Sequence, residues 1–209
     1  MLYTIAHVLR DRVPVLWDMV DGLNGWLFGM RYGRRLKAVE AEVLRRYEAE
    51  TGMKILHMRE VDTHRLVEFF GEQPEEAFTY FRPHGFDEMS LRKLQKNRSF
   101  LAYVLMDEDE DENEDENEDE KIAGYCFLRS FFMGKGFRGR MVGMSHRGNG
   151  LGTMMNCMMN EVGFGIGLRL FETVSKRNIA SYRSALSASE VRVMEEMEND
   201  ELYLEIINL

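Results

Sequence analysis

The stretch HRGNGLGTMM, residues 146–155, constrains the fold most, because it asks for a sharp turn that leads straight into a helix. Gly148, Gly150 and Gly152 alternate with Asn149 and Leu151. Glycine recurs in this way where the backbone takes φ > 0, or where another group comes too close for a Cβ. Before it, residues 137–144 (FRGRMVGM) read as a strand; after it, residues 151–162 read as a Met-rich helix. Successive backbone N–H groups at such a helix start can wrap an anion, and the helix dipole adds a favourable field.

The rest of the chain sets the context of that loop. Residues 1–51 are helical in character, with Leu16, Met19, Val20, Leu23, Trp26 and Leu27 at mixed three- and four-residue spacing. Gly25, Gly29 and Gly33 recur every fourth position: on a helix they would admit a close neighbour, while a turn within residues 22–33 is the competing reading. Arg31, Arg34 and Arg35 open a charged helix that Gly52 ends. Residues 54–60 alternate like a strand, Asp62 suits the N-cap of a helix over 63–70, and Pro83 and Gly85 separate two helical pieces within 73–97. Strands follow at 99–106 and 121–132. The acidic run between them, residues 107–120 (DEDEDENEDENEDE), reads as an overgrown hairpin loop, solvated and kept disordered by like charge. Beyond the helix at 151–162 come a strand at 168–174, a short helix from Asn178, and two closing strands near 191–197 and 202–207.

Three phosphate-binding devices compete for residues 147–152. A P-loop requires a lysine after its last glycine, and Thr153 stands there instead. A dinucleotide fingerprint spaces its glycines differently and sits in the first βα turn, whereas several strands precede this loop. The third device fits spacing and context. Arg147-Gly148-Asn149-Gly150-Leu151-Gly152 resembles the Q/R-x-x-G-x-G/A motif of the GCN5-related N-acetyltransferases, which move an acyl group from coenzyme A to an amine.

That resemblance covers residues 54–209 and implies an α+β fold, a mixed, mostly antiparallel central sheet flanked by helices. The domain would run over 52–209, with a helical N-terminal extension at 1–51 and the acidic insert at 107–120. It implies acetyl-CoA as co-substrate, no metal, and a pyrophosphate held by Arg147, Gly148, Asn149, Gly150, Leu151, Gly152 and Thr153. Side chains at Gly150 or Gly152 would obstruct the approach. TVSKRNIASYR (173–183) is similar to the family segment in which an Asn closes the fifth strand, so Asn178 matches a residue that bonds the pantetheine arm or nearby backbone. Val142, Gly143 and Met144 match the strand end whose main chain pairs with pantetheine and whose N–H polarises the thioester carbonyl.

The chain departs from the family pattern at the residues that handle protons. Many members carry Tyr seven residues after the Asn, where this chain has Ala185; Tyr182, one turn earlier, is either a substitute proton donor or a packing residue. Members acting on protein N-termini often place Glu five residues before the Asn. Thr173 holds that position and Glu172, the catalytic candidate beside it, falls on the opposite face of a strand. The acceptor expected is therefore a small amine such as an amino sugar, an amino acid or a polyamine. The alternatives are a non-catalytic acyl-CoA-binding or scaffold module and a protein-directed acetyltransferase.

Charge and composition decide the remaining classes. The formal charge of −9 misleads, because the acidic run holds 12 of 36 acidic residues and leaves 24 against 27 basic ones. Such a mildly basic body suits a phosphate-bearing small molecule and gives no ground for nucleic acid. Two cysteines, Cys126 and Cys157, form no disulfide framework or metal spacing, so a reducing, cytoplasmic setting is expected. Membrane docking through Trp17, Trp26, Phe28 and the arginines is not expected; packing within the chain or a homodimer through the extension competes with it. Met141, Met144, Met154, Met155, Met158 and Met159 read as core before acyl pocket, and His84 and His146 as structural before catalytic.

Overall fold

The computed structural model describes residues 14–107, 121–197 and 200–207. Its first helix, α1 (Pro14–Thr51), runs through Gly22, Gly25, Gly29 and Gly33 without a break, so no turn occurs there. Its register explains why. Phe28, Tyr32, Leu36, Val43 and Tyr47 recur at helical spacing and are all buried, so the tertiary contact of one stripe outweighs the weak propensity of four glycines. Gly25 and Gly29 face the chain at Asn97 and Arg98, where a Cβ would come within 2.9 Å of the Asn97 side chain and 3.2 Å of the Arg98 side chain. Close approach is required there, by a loop and not by a second helix.

Strand β1 (Lys54–His57) gives way at Met58–Glu60 to a 3₁₀ turn, shorter than the strand expected over 54–60. Asp62 caps α2 (Thr63–Gly71) by accepting from the His64 N–H, and Asp87 caps α3 (Glu88–Lys96) from the Ser90 N–H. Then come β2 (Phe100–Asp107), β3 (Lys121–Phe131), β4 (Lys135–Val142), α4 (Leu151–Gly165), β5 (Arg169–Ser175), α5 (Ile179–Ala188), β6 (Glu190–Glu196) and β7 (Glu201–Ile207). The acidic loop itself lies outside the described residues apart from Asp107, but the strands it joins pair as a hairpin, with Asp107 opposite Lys121.

The seven strands form one sheet in the order β1-β2-β3-β4-β5-β7-β6. Every neighbouring pair is antiparallel except β4–β5, which the helix α4 connects as a parallel crossover. The fold is thus the α+β arrangement expected. Helices cover both faces of β2 and β3, so their residues are buried in alternation: Leu101, Tyr103 and Leu105 pack with α1 and α4, and Ala102, Val104 and Met106 pack with α2 and α3. Met155, Met158 and Met159 belong to the first cluster and Met141 to the second, which makes them core; Met144 is exposed. No described helix is long and apolar enough to cross a membrane.

Candidate functional site

Strand β4 pairs with β3 along its whole length, but with β5 only at residues 135–137. From Arg138 onward β4 and β5 diverge, and the sheet opens into a cleft at its own middle. Backbone groups on an antiparallel strand point alternately to either edge. Gly143 donates its N–H to Ala123 O at 2.8 Å, so residues 143, 141 and 139 face β3. Residues 142 and 140 therefore turn their main-chain groups toward the opening. This corrects the expectation for the strand end: Gly143 is engaged with β3, and its closeness to Ala123 O and Ile122 O also leaves no room for a Cβ. The N–H groups available in the cleft are those of Val142 and Arg140.

At the mouth of the cleft the chain passes through a 3₁₀ turn, Met144–His146, into the glycine loop. Gly148 and Gly150 have φ of 86° and 80°, the left-handed region that side chains resist. Gly150 is the N-cap of α4 and offers no side-chain cap. As a result, among the described residues, the N–H groups of Gly148, Asn149, Gly150, Leu151 and Gly152 have no protein acceptor; the first such bonds are made by Thr153 and Met154 to Gly150 O. A Cβ added at Gly150 meets nothing within 4 Å, so the space in front of it is open. Gly152 differs. Its Cβ would come within 3.2 Å of Arg140 Nε and 3.5 Å of Val142, so it is glycine because the first turn of α4 lies directly on β4.

The structure brings the other candidates to this region unevenly. Asn178 caps α5, its Oδ1 accepting from the Ser181 N–H at 3.1 Å. Arg147 is exposed beside the loop and donates to Val142 O at 3.4 Å, and Thr153 Oγ1 lies 3.2 Å from Ser184 Oγ. His146 links Ser145 and Asp107, at 2.9 and 2.8 Å. Tyr182 packs against Val174, Leu202 and Leu204 of β5 and β7. Ala185 is fully buried. Glu172 is buried too, and its Oε2 accepts from Arg138 Nε at 2.7 Å across the root of the opening, while Arg138 Nη1 donates to Asn160 of α4 at 2.6 Å. Thr173, its neighbour, is exposed, so the two do lie on opposite faces.

Arg138 and Arg140 are the residues that sequence reasoning missed. Both point under α4, where Arg140 donates to Ser181 O of α5 at 3.2 Å, and burial pulls its pKa down to about 10, still charged at neutral pH. The signal was present in FRGRMV: two arginines at alternate positions put both charges on one face of a strand whose neighbours are core. His84 sits elsewhere, among Phe70, Phe86, Phe100 and Phe127. Its Nδ1 is 2.8 Å from Gly85 O, which can only accept, so the proton is on Nδ1 and Nε2 accepts from Tyr125 O–H at 3.0 Å. That is a packing role.

Comparison with known structures places this architecture. No protein-family profile matches the chain, and no curated protein is significantly similar to it. Among solved structures, the GNAT domain of S. lividans PAT superposes with a TM-score of 0.59 at 12% identity, covering 74% of this chain and 89% of that one. AAC(6')-Ib in complex with ribostamycin and coenzyme A gives 0.52 at 16% identity over 74% and 92% of the two chains. The Campylobacter jejuni N-acetyltransferase PseH in complex with acetyl coenzyme A gives 0.50 at 15% over 74% and 97%. The chain therefore has the GNAT fold.

Proposed function

We propose that this protein is an acyl-CoA-dependent N-acyltransferase, with acetyl-CoA as co-substrate and a small amine as acceptor. One observation carries the reading: five successive N–H groups, Gly148 to Gly152, stand without acceptors among the described residues at the start of α4, beside the opening between β4 and β5. A helix start with so many orphan donors and no cap is suited to an anion, and the pyrophosphate of coenzyme A supplies one. The pantetheine arm would follow the open edge of β4, with Asn178 across the cleft. Two solved structures of this fold support the reading: AAC(6')-Ib holds ribostamycin and coenzyme A, and the N-acetyltransferase PseH holds acetyl coenzyme A.

In this reading the Val142 or Arg140 N–H receives the charge that develops on the thioester oxygen as the neutral amine attacks. The C–S bond breaks, the amide C–N bond forms, the attacking nitrogen gives up one proton to water, and the thiolate takes one. Glu172 is assigned to holding Arg138, not to proton transfer, because both are enclosed and paired. Tyr182 is turned to β5 and β7, so water is the better proton source. The same two facts favour the second reading, a non-catalytic acyl-CoA-binding module, since Ala185 offers no acid either.

Calorimetry with coenzyme A tests the site. Asn tolerates the left-handed region, so Gly150→Asn puts a side chain into open space with little backbone strain. Binding should weaken at least tenfold while the melting temperature stays close to that of the wild type. Unchanged affinity in that variant would remove the assignment of the loop. Thiol release from acetyl-CoA with a panel of amino sugars, amino acids and polyamines then separates enzyme from binding module: turnover of none of them favours the module.

A further inference from the structure

We propose that the Arg140 side chain is a ligand-binding residue of the cleft: it is the counter-charge for the pyrophosphate of coenzyme A, and it makes the site select phosphorylated pantetheine carriers over unphosphorylated ones. This deepens the functional reading and rests on coenzyme A being the ligand. Strands β4 and β5 part after residue 137, and α5 follows β5. A bond from residue 140 of β4 to the first turn of α5 therefore crosses the opening. Arg140 makes two such bonds, Nη2 donating to Ser181 O at 3.2 Å and to Ser181 Oγ at 3.4 Å. Its Nε stands 3.2 Å from the place a Cβ on Gly152 would take, against the last of the five residues with open N–H groups.

Two imbalances of charge point to an anion there. Arg138 and Arg140 leave the same face of β4, and the buried carboxylate that faces them, Glu172, is taken by Arg138 Nε. Among the described residues Arg140 pairs with no carboxylate, and its Nε and Nη1 have no acceptor. The second imbalance comes from the helices. Both α4 and α5 begin beside this guanidinium, with Gly150 and Asn178 as their N-caps. A helix start carries partial positive charge, so a half-buried cation set between two of them is destabilising by itself. An anion in the opening turns each of these repulsions into a shared attraction, and a guanidinium holds phosphate oxygens by charge-assisted hydrogen bonds. The uncharged pantetheine arm gives Arg140 nothing to neutralise.

Calorimetry and thermal shift on the full chain test this, with coenzyme A, pantetheine and inorganic pyrophosphate as probes and with Arg140→Met and Arg140→Lys as variants. Arg140→Met should weaken coenzyme A binding about tenfold or more and leave the thermal shift given by pantetheine unchanged. Its coenzyme A affinity should also depend less on salt, and Arg140→Lys, which keeps the charge, should restore most of the affinity and of the salt dependence. Without ligand, Arg140→Met should melt at the wild-type temperature or higher, because a cation has left the space between two helix starts. A merely structural arginine gives the opposite pattern, a lower melting temperature with coenzyme A and pantetheine weakened alike. That pattern, or unchanged coenzyme A affinity in Arg140→Met, would overturn the proposal and leave the loop assignment to Gly150→Asn. Inorganic pyrophosphate bound as tightly as coenzyme A would show a plain anion site and overturn the selection of carriers. A wild type that binds no coenzyme A would overturn the proposal and the functional reading together.

Discussion

Removing the Glu172 carboxylate should destabilise the protein far more than removing both Glu172 and Arg138. The two side chains are 5% and 0% exposed and meet at 2.7 Å, with Asn160 as the only other partner of the guanidinium among the described residues. Glu172→Met leaves a guanidinium charge enclosed without its counter-ion, which costs about 3–5 kcal/mol for a buried pair. At about 2–4 °C per kcal/mol for a chain of this size, the melting temperature should fall by ~6–20 °C. Arg138→Met together with Glu172→Met removes the charges as a unit. Arg138 Nη2 and Glu172 Oε1 already lack partners among the described residues, so little hydrogen bonding is lost, and the double variant should lie within about 2 kcal/mol of the wild type. Thermal and urea unfolding of all four proteins close the cycle. A stable Glu172→Met single variant, or a double variant showing the sum of the two losses, would refute the pairing argument. Turnover adds a separate check: a folded double variant slowed on the order of 10²-fold or more would return Glu172 to proton transfer.

Three other outcomes are expected. Replacing residues 109–119 by a short Gly-Asn turn should leave the melting temperature and coenzyme A affinity unchanged, since each doubling of loop length costs only about 0.6 kcal/mol; a loss of either would show that the run has a specific partner. Tyr182→Phe should reduce kcat less than tenfold, and a loss on the order of 10²-fold or more with unchanged coenzyme A affinity would make its hydroxyl the proton donor. Burial lowers the His84 pKa from 6.5 to about 4, so between those values the unfolded chain binds the proton that the folded chain refuses. Stability is therefore full above pH 6.5 and lost as pH falls toward 4. Allowing for partial exposure, this accounts for about 1–2 kcal/mol. His84→Gln, which can still accept from Tyr125, should flatten that dependence in urea titrations at pH 7 and 5, and an unchanged slope would rule out His84 as its source. His57, lowered to about 4 by its own burial, keeps the rest.

The local sequence determined what short-range stereochemistry controls. Asp62 announced a helix cap because its carboxylate reaches an N–H two residues on, and Gly148 and Gly150 announced a left-handed turn because L side chains resist φ > 0. The element order and the strand–loop–helix unit were legible for the same reason. What the sequence left open depends on groups distant in the chain. Whether Gly25 and Gly29 broke a helix was settled by Asn97 and Arg98 lying against them, some seventy residues away in sequence. Gly152 belonged to the same motif as Gly150 but answers to Arg140 beneath it, not to the open space in front. The role of Glu172 hinged on Arg138, which reaches it only because β4 and β5 are parallel neighbours that part after residue 137. A carboxylate's chemistry is set by what surrounds it, and only the tertiary structure placed a buried guanidinium there.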